Sequence, residues 1–134
     1  MANRQVLSVA PYFVVDDVVP AAEFYRDKLG FTFDRYWGEP PCFVMVRRDG
    51  ITIMLGCFGK SGLVRPNRTV DPHSEGCWDA YLWVRDAQAL YDEFQSRGVT
   101  ISRAIEKTHY GCLDFDILDS SGYCLCFGQD LGPA

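Results

Sequence analysis

The chain carries one pattern twice, and a repeat of this kind limits the possible folds more tightly than any single motif. Tyr12-Phe13-Val14-Val15 aligns with Tyr81-Leu82-Trp83-Val84, Asp17 with Asp86, Gly30 with Gly98, and Phe31-Thr32-Phe33 with Val99-Thr100-Ile101. Further along, Asp49-Gly50-Ile51-Thr52-Ile53-Met54-Leu55-Gly56 aligns with Ser121-Gly122-Tyr123-Cys124-Leu125-Cys126-Phe127-Gly128. Chance supplies one such match, but not helix caps, turns and strand parity together.

Each copy reads as strand, helix and three strands. In the first, residues 6–15 are apolar and β-branched, and Asp16-Asp17 can cap a helix with Pro20 in its first turn. Ala21, Phe24, Tyr25 and Leu29 fall at helical spacing, and Gly30 stops the helix. Strands are predicted over 31–37, 43–48 and 51–57, with Gly38-Glu39-Pro40-Pro41 as a break and Asp49-Gly50 as a tight turn. In the second copy, residues 78–84 alternate, Asp86 caps a helix with Leu90, Tyr91 and Phe94 on its buried stripe, and Gly98 ends it. A strand over 99–105 follows, then a hairpin over 113–128 turning at Asp119-Ser120-Ser121-Gly122. Such a hairpin needs cover for Phe115, Ile117, Leu125 and Phe127. The expected architecture is α+β: two βαβββ repeats, 6–57 and 77–129, forming a curved mixed sheet within one domain spanning 1–134. Residues 58–76 lack periodicity and read as a linking loop, or as a flexible loop over a site.

A chain of 134 residues with 48% hydrophobic and 14% aromatic content can bury a core without disulfides or a structural metal. Its net charge of -5 argues against nucleic acid, which needs a basic face, and suits a cationic or neutral small partner. Cys42, Cys57, Cys77, Cys112, Cys124 and Cys126 form no CxxC pair and read as reduced residues, mostly in strands. No signal-peptide pattern or membrane-length apolar run is evident, so a cytoplasmic protein without a membrane partner is expected.

The motifs DDVVPAAEFYRDKLGF at 16–31, VRDAQALYDEF at 84–94 and YGCLDFDILDSSGYCLCF at 110–127 resemble the vicinal oxygen chelate superfamily. That superfamily includes glyoxalase I, extradiol dioxygenases, fosfomycin-modifying enzymes and bleomycin-resistance proteins, and its fold hosts several chemistries. The resemblance implies that metal-using members would place ligands at Ala10, Met54, Asp79 and Cys126. Alanine and methionine cannot supply a hard oxygen or imidazole ligand, and Asp79 with Cys126 is a poor pair for the usual divalent ions. The sequence is closest in this respect to the bleomycin-resistance branch, which implies no metal, no cofactor, and a groove that holds a basic drug. Resemblance also implies a homodimer with grooves built across subunits.

Parity places Asp79, Tyr81 and Trp83 on one strand face, and Asp114 with Asp116 on another. The acid pair suits either open water or a groove that offers a ligand. Three carboxylates beside aromatic faces would hold a cation by charge pairing and cation–π contact. Trp37, Phe43, Trp83 and Tyr110 are candidates for stacking a planar ligand, and Met54 and Cys126 complete the expected lining. Cys124 and Cys126 share a face but have no basic neighbour to activate a thiol. His73 and His109 read as surface residues, with His109 adjoining the groove, and the GKSG run at 59–62 lacks the spacing of a phosphate loop. Sequestration of a planar or cationic ligand without turnover is therefore expected. The competing reading is a glyoxalase- or dioxygenase-type enzyme, either with a displaced metal-ligand set or metal-free with Asp79 or His109 as base.

Overall fold

The computed structural model describes residues 3–57, 63–69 and 77–133. The first repeat forms β1 (Tyr12–Val14), α1 (Val18–Leu29), β2 (Tyr36–Trp37), β3 (Phe43–Arg48) and β4 (Ile51–Gly56). The second forms β5 (Ala80–Trp83), α2 (Ala87–Ser96), β6 (Ile101–Lys107), β7 (Cys112–Leu118) and β8 (Cys124–Asp130). The expected mixed pairing forms as two four-stranded sheets, one per repeat, ordered β1-β4-β3-β2 and β5-β8-β7-β6, each with one parallel pair. Of the expected loop, only 63–69 is described, with a short 3-10 turn at Asn67–Thr69; His73 and the GKSG run lie outside the described residues.

The predicted caps form. Asp17 accepts from the Val19 N–H and Asp86 from the Ala89 N–H, each at 3.0 Å, which satisfies a donor that the first helical turn leaves open. Gly30 closes α1 at φ 75°, a left-handed conformation that costs glycine nothing. Val18, Ala21, Ala22, Tyr25 and Leu29 make the buried stripe of α1. In the other repeat Phe94 of α2 packs on the cross-strand pair Phe115 and Phe127, with ring centroids 6.1 and 5.1 Å away. Truncating such a ring costs about 3–5 kcal/mol, so this trio anchors the second sheet.

Strand edges depart from the sequence pattern for identifiable reasons. The first strand starts at Tyr12 rather than at residue 6, because Pro11 has no N–H and offers only its carbonyl, which accepts from Met54 N at 2.9 Å. Val6 and Val9, before it, lie open to solvent. Between 31 and 37 only an isolated bridge at Thr32 and the two residues of β2 pair. There the rings of Phe33 and Tyr36, three residues apart, come within 5.2 Å, which a regularly alternating strand forbids.

The helix sides of both repeats share one core. Phe13 stacks on Tyr123 at 4.4 Å, and Tyr25 Oη donates to Asp119 Oδ2 at 2.7 Å. Cations stitch the two helix C-termini together: Arg48 donates to Leu29 O and bidentately to Glu93, and Lys28 donates to Arg97 O. Positive charge at these carbonyl ends is favoured by the helix dipole. With the helix sides joined, each sheet's opposite face is left outside this shared core.

Candidate functional site

Register fixes which side chains share these faces. On the second sheet, Tyr81, Cys126, Asp116 and Arg103 form one row across β5, β8, β7 and β6, and Trp83, Gly128, Asp114 and Glu106 form the next. On the first sheet, Tyr12, Met54 and Met45 make one row, and Val14, Gly56, Phe43 and Trp37 the next. Both faces repeat one device. A Cβ on Gly56 would overlap the Tyr12 hydroxyl, and a Cβ on Gly128 would overlap that of Tyr81, so each glycine makes room for a tyrosine lying across the sheet.

Asp114 is buried and accepts from Arg103 Nη2, Tyr81 Oη and Tyr110 Oη. Asp116, also buried, accepts from Arg103 Nε and Nη2 at 3.0 Å each and from Trp78 Nε1 at 3.1 Å. Glu106 takes Arg103 Nη1 at 2.9 Å. Arg103 is thus the cation that the acid pair requires, and it comes from this chain. One guanidinium against three carboxylates still leaves the cluster formally negative by two charges.

Burial works to push the Asp114 carboxyl up, and the hydrogen bonds from Tyr110, Arg103 and Tyr81 outweigh it, holding the group below the usual carboxylate range. Burial and the bonds to Asp114 raise both phenols, so Tyr81 and Tyr110 stay protonated donors at neutral pH. The thiols behave similarly. Burial pushes Cys124 up to about 12, and burial with neighbouring Asp116 lifts Cys126 further, which makes both poor nucleophiles.

Above the cluster the rings of Trp78, Tyr81 and Trp83 run in sequence, with centroids 5.0 and 4.8 Å apart, and Trp83 remains 66% exposed. Asp79 lies apart from the acid pair's network. Its oxygens accept from Asn67 N and Cys124 N, both at 2.8 Å, so it anchors the segment at Asn67 to the start of β8. His109 is exposed and touches the Tyr110 ring. Trp37, Phe43 and Met54, with Tyr12, line the first face; Tyr81, Trp83, Tyr110, Asp114, Asp116 and Cys126 gather on the second.

The sequence reading missed Arg103, Trp78 and Tyr12. Arg103 pairs with Asp116 only because the β6 register shifts on both sides of it, which defeats simple parity. Trp78 precedes β5, where alternation does not yet apply, and its ring meets Tyr81. Tyr12 was legible through its alignment with Tyr81.

Residues 6–127 match the family model described as the Glyoxalase/Bleomycin resistance protein/Dioxygenase superfamily. The chain belongs to this superfamily. Similar solved structures include the bleomycin-binding protein from bleomycin-producing Streptomyces verticillus complexed with copper(II)-bleomycin, at 22% identity over 97% of this chain and 99% of that one, with a TM-score of 0.65. A bleomycin resistance determinant encoded on the transposon Tn5 is 19% identical over 93% and 98% of the two chains, with a TM-score of 0.67. A glyoxalase-related enzyme from Clostridium phytofermentans gives 14% identity over 97% and 99%, with a TM-score of 0.73. At these identities the likeness shows the fold. No curated protein matches the chain by sequence.

The superfamily's metal can be tested against the donors present. Ala10 has none, Met54 offers a thioether, both oxygens of Asp79 already carry backbone N–H groups, and Cys126 is a protonated thiol beside Arg103. Those four residues do not fit a hard divalent ion.

Proposed function

We propose that this protein binds a planar small molecule reversibly and without turnover, sequestering it against its uncovered sheet faces. The carrying observation is the aromatic row Trp78, Tyr81 and Trp83 above a carboxylate cluster that keeps an excess of negative charge. A ring stacks on Trp83, and a positive substituent is drawn toward Glu106 and the field of Asp114 and Asp116. Since Arg103 already fills the acid pair, a ligand cation reinforces this network from the rim. Trp37, Phe43 and Met54 supply the apolar part of the lining. Asp79 and Cys126 shape it from behind, and Tyr110 holds the acid in place. The bleomycin-binding structure from Streptomyces verticillus supports this reading as a relative in fold that holds a ligand.

A homodimer is part of the proposal. Tyr12, Trp83, Val6 and Val9 expose apolar surface that a second copy would cover in building a groove from two chains. Sedimentation at low micromolar concentration should show a dimer; a monomer there overturns this part.

Calorimetric titration with metal-free bleomycin, a planar acridinium and a neutral aromatic tests the binding reading. Wild type should bind the planar cation, Trp83→Ala should weaken it about tenfold, and the ligand should be recovered unchanged. Failure of every compound to bind below about 1 mM, the weak end of measurable affinity, or chelator-sensitive conversion of the ligand, would defeat it.

A further inference from the structure

The two faces each carry an arginine at matching positions, and only one meets a carboxylate among the described residues. Met45 pairs with Met54 and Met54 with Tyr12, just as Asp116 pairs with Cys126 and Cys126 with Tyr81. Arg103 stands opposite Asp116. Continuing the β2–β3 register by one residue beyond Tyr36 and Val44 puts Arg35 opposite Met45, so Arg35 is the counterpart of Arg103. Where the second face has Asp114 and Asp116, the first has Phe43 and Met45.

Arg35 consequently has no carboxylate partner among the described residues. Its guanidinium lies 4.2 Å from the Trp37 ring centroid, and Trp37 packs edgewise on Phe43 at 5.4 Å, next to Tyr12. Arg47 opens on the same face, its guanidinium reaching the Met45 sulfur at 3.6 Å and no carboxylate among the described residues. The paired rows of this face contribute two cations, two methionines and three aromatic rings, and no acid.

We propose that Arg35 is an anion-reading residue and that the first face selects planar aromatic acids, carboxylates in particular. Stacking on Trp37 fixes the guanidinium plane, leaving its N–H fork for a coplanar carboxylate, while the ring attached to that carboxylate lies over Phe43, Tyr12 and Met54. The thioethers of Met45 and Met54 adapt to the ring edge. This rests on the reading that the protein binds planar ligands, and it adds the charge that the first face prefers.

Three compounds with one ring system separate the two claims: anthracene carboxylate, anthracene methanol and anthracene methylammonium. Each is titrated against the full chain as wild type, Arg35→Gln and Arg35→Lys. The carboxylate should bind about tenfold tighter than the alcohol, the span of one charge-assisted pair. Arg35→Gln should erase that advantage while leaving the alcohol unchanged, and Arg35→Lys should restore only part, because a point charge lacks the fork. If the alcohol binds but the carboxylate gains nothing, if its gain survives Arg35→Gln, or if Arg35→Gln weakens the ammonium as much as the carboxylate, the anion proposal is overturned and the planar-ligand reading stands. If none of the three binds, both fall.

Discussion

The faces of the two sheets share a frame and differ in chemistry. In each, a tyrosine of the first strand lies across a glycine of the last, Tyr12 over Gly56 and Tyr81 over Gly128. Beside that pair, Phe43 and Met45 stand in one repeat where Asp114 and Asp116 stand in the other. Two substitutions in register reverse the fate of an arginine. Arg103 is drawn inward by buried acids and becomes part of the framework, whereas Arg35 rests on a ring with no carboxylate partner among the described residues. The polar face satisfies its own arginine and keeps an excess of negative charge, and the apolar face keeps its arginine for something else. Two copies of one unit thus present two surfaces of different demand.

The sharpest way to break this comparison is to remove each arginine. Arg103→Met strands Asp114 and Asp116 without their counter-ion, and breaking a buried pair costs roughly 3 kcal/mol, the low end of the usual range because the Arg103 side chain is 30% exposed. Arg35→Met removes only a surface stacking contact and should change stability by less than about 0.5 kcal/mol. Urea denaturation of both variants measures the gap. Equal losses would mean that Arg103 is no more structural than its counterpart.

The glycines come next. Gly128→Ala forces a methyl into Tyr81, which its bond to Asp114 holds in place, so a loss of about 2 kcal/mol is expected from overpacking. Gly56→Ala meets Tyr12, which is 46% exposed and can swing aside, so its loss should stay under about 1 kcal/mol. Thermal melts of the pair decide whether the shared frame is equally stiff on both sides.

Much of this frame is legible in the sequence. Asp17 and Asp86 as caps, Gly30 as a stop and the apolar parity of Phe115, Ile117, Leu125 and Phe127 follow from local chemistry, and local chemistry is what a sequence displays. The site was legible by half. Parity put Asp114 and Asp116 on one face, but their partner sits on β6, where register shifts break the alternation, so an internal Arg103 looked like a vacancy for a foreign cation. Asp79 shares the face of Tyr81 by parity, yet backbone N–H groups from two distant segments claim its oxygens. Pairings of that kind depend on where loops return, which no periodicity encodes.

Acid should distinguish the faces at a smaller scale. The Asp114 pKa is lowered in the folded chain, so its contribution is fully present above its unfolded value of about 4 and is lost as pH falls through the folded one. Asp114→Asn removes this linkage. The stability gap between wild type and variant should be about 1–2 kcal/mol at neutral pH and narrow below pH of about 4. Phe43, at the equivalent place, titrates nothing, so Phe43→Leu should show a gap that does not vary with pH. Denaturant midpoints across an acid series read both. A gap for Asp114→Asn that is flat with pH would mean that its hydrogen bonds do not favour the ionised form.

The smallest effect isolates a single hydroxyl. Tyr12 and Tyr110 are each 46% exposed, so removing either phenol oxygen changes a similarly wetted surface. Their partners differ: Tyr110 Oη donates to the buried Asp114 carboxylate, and Tyr12 Oη has no hydrogen-bond partner among the described residues. Removing a donor from a buried carboxylate usually costs more than a neutral hydrogen bond, but Asp114 keeps Arg103 and Tyr81, so Tyr110→Phe should cost only about 1 kcal/mol. Tyr12→Phe should lie within about 0.3 kcal/mol of wild type, as expected of a surface change that loses no bond. Urea midpoints for the two variants, measured at equal slope, make the comparison. If Tyr12→Phe costs as much as Tyr110→Phe, the Tyr12 hydroxyl has a partner in solution, and a second copy of the chain is the first place to seek it.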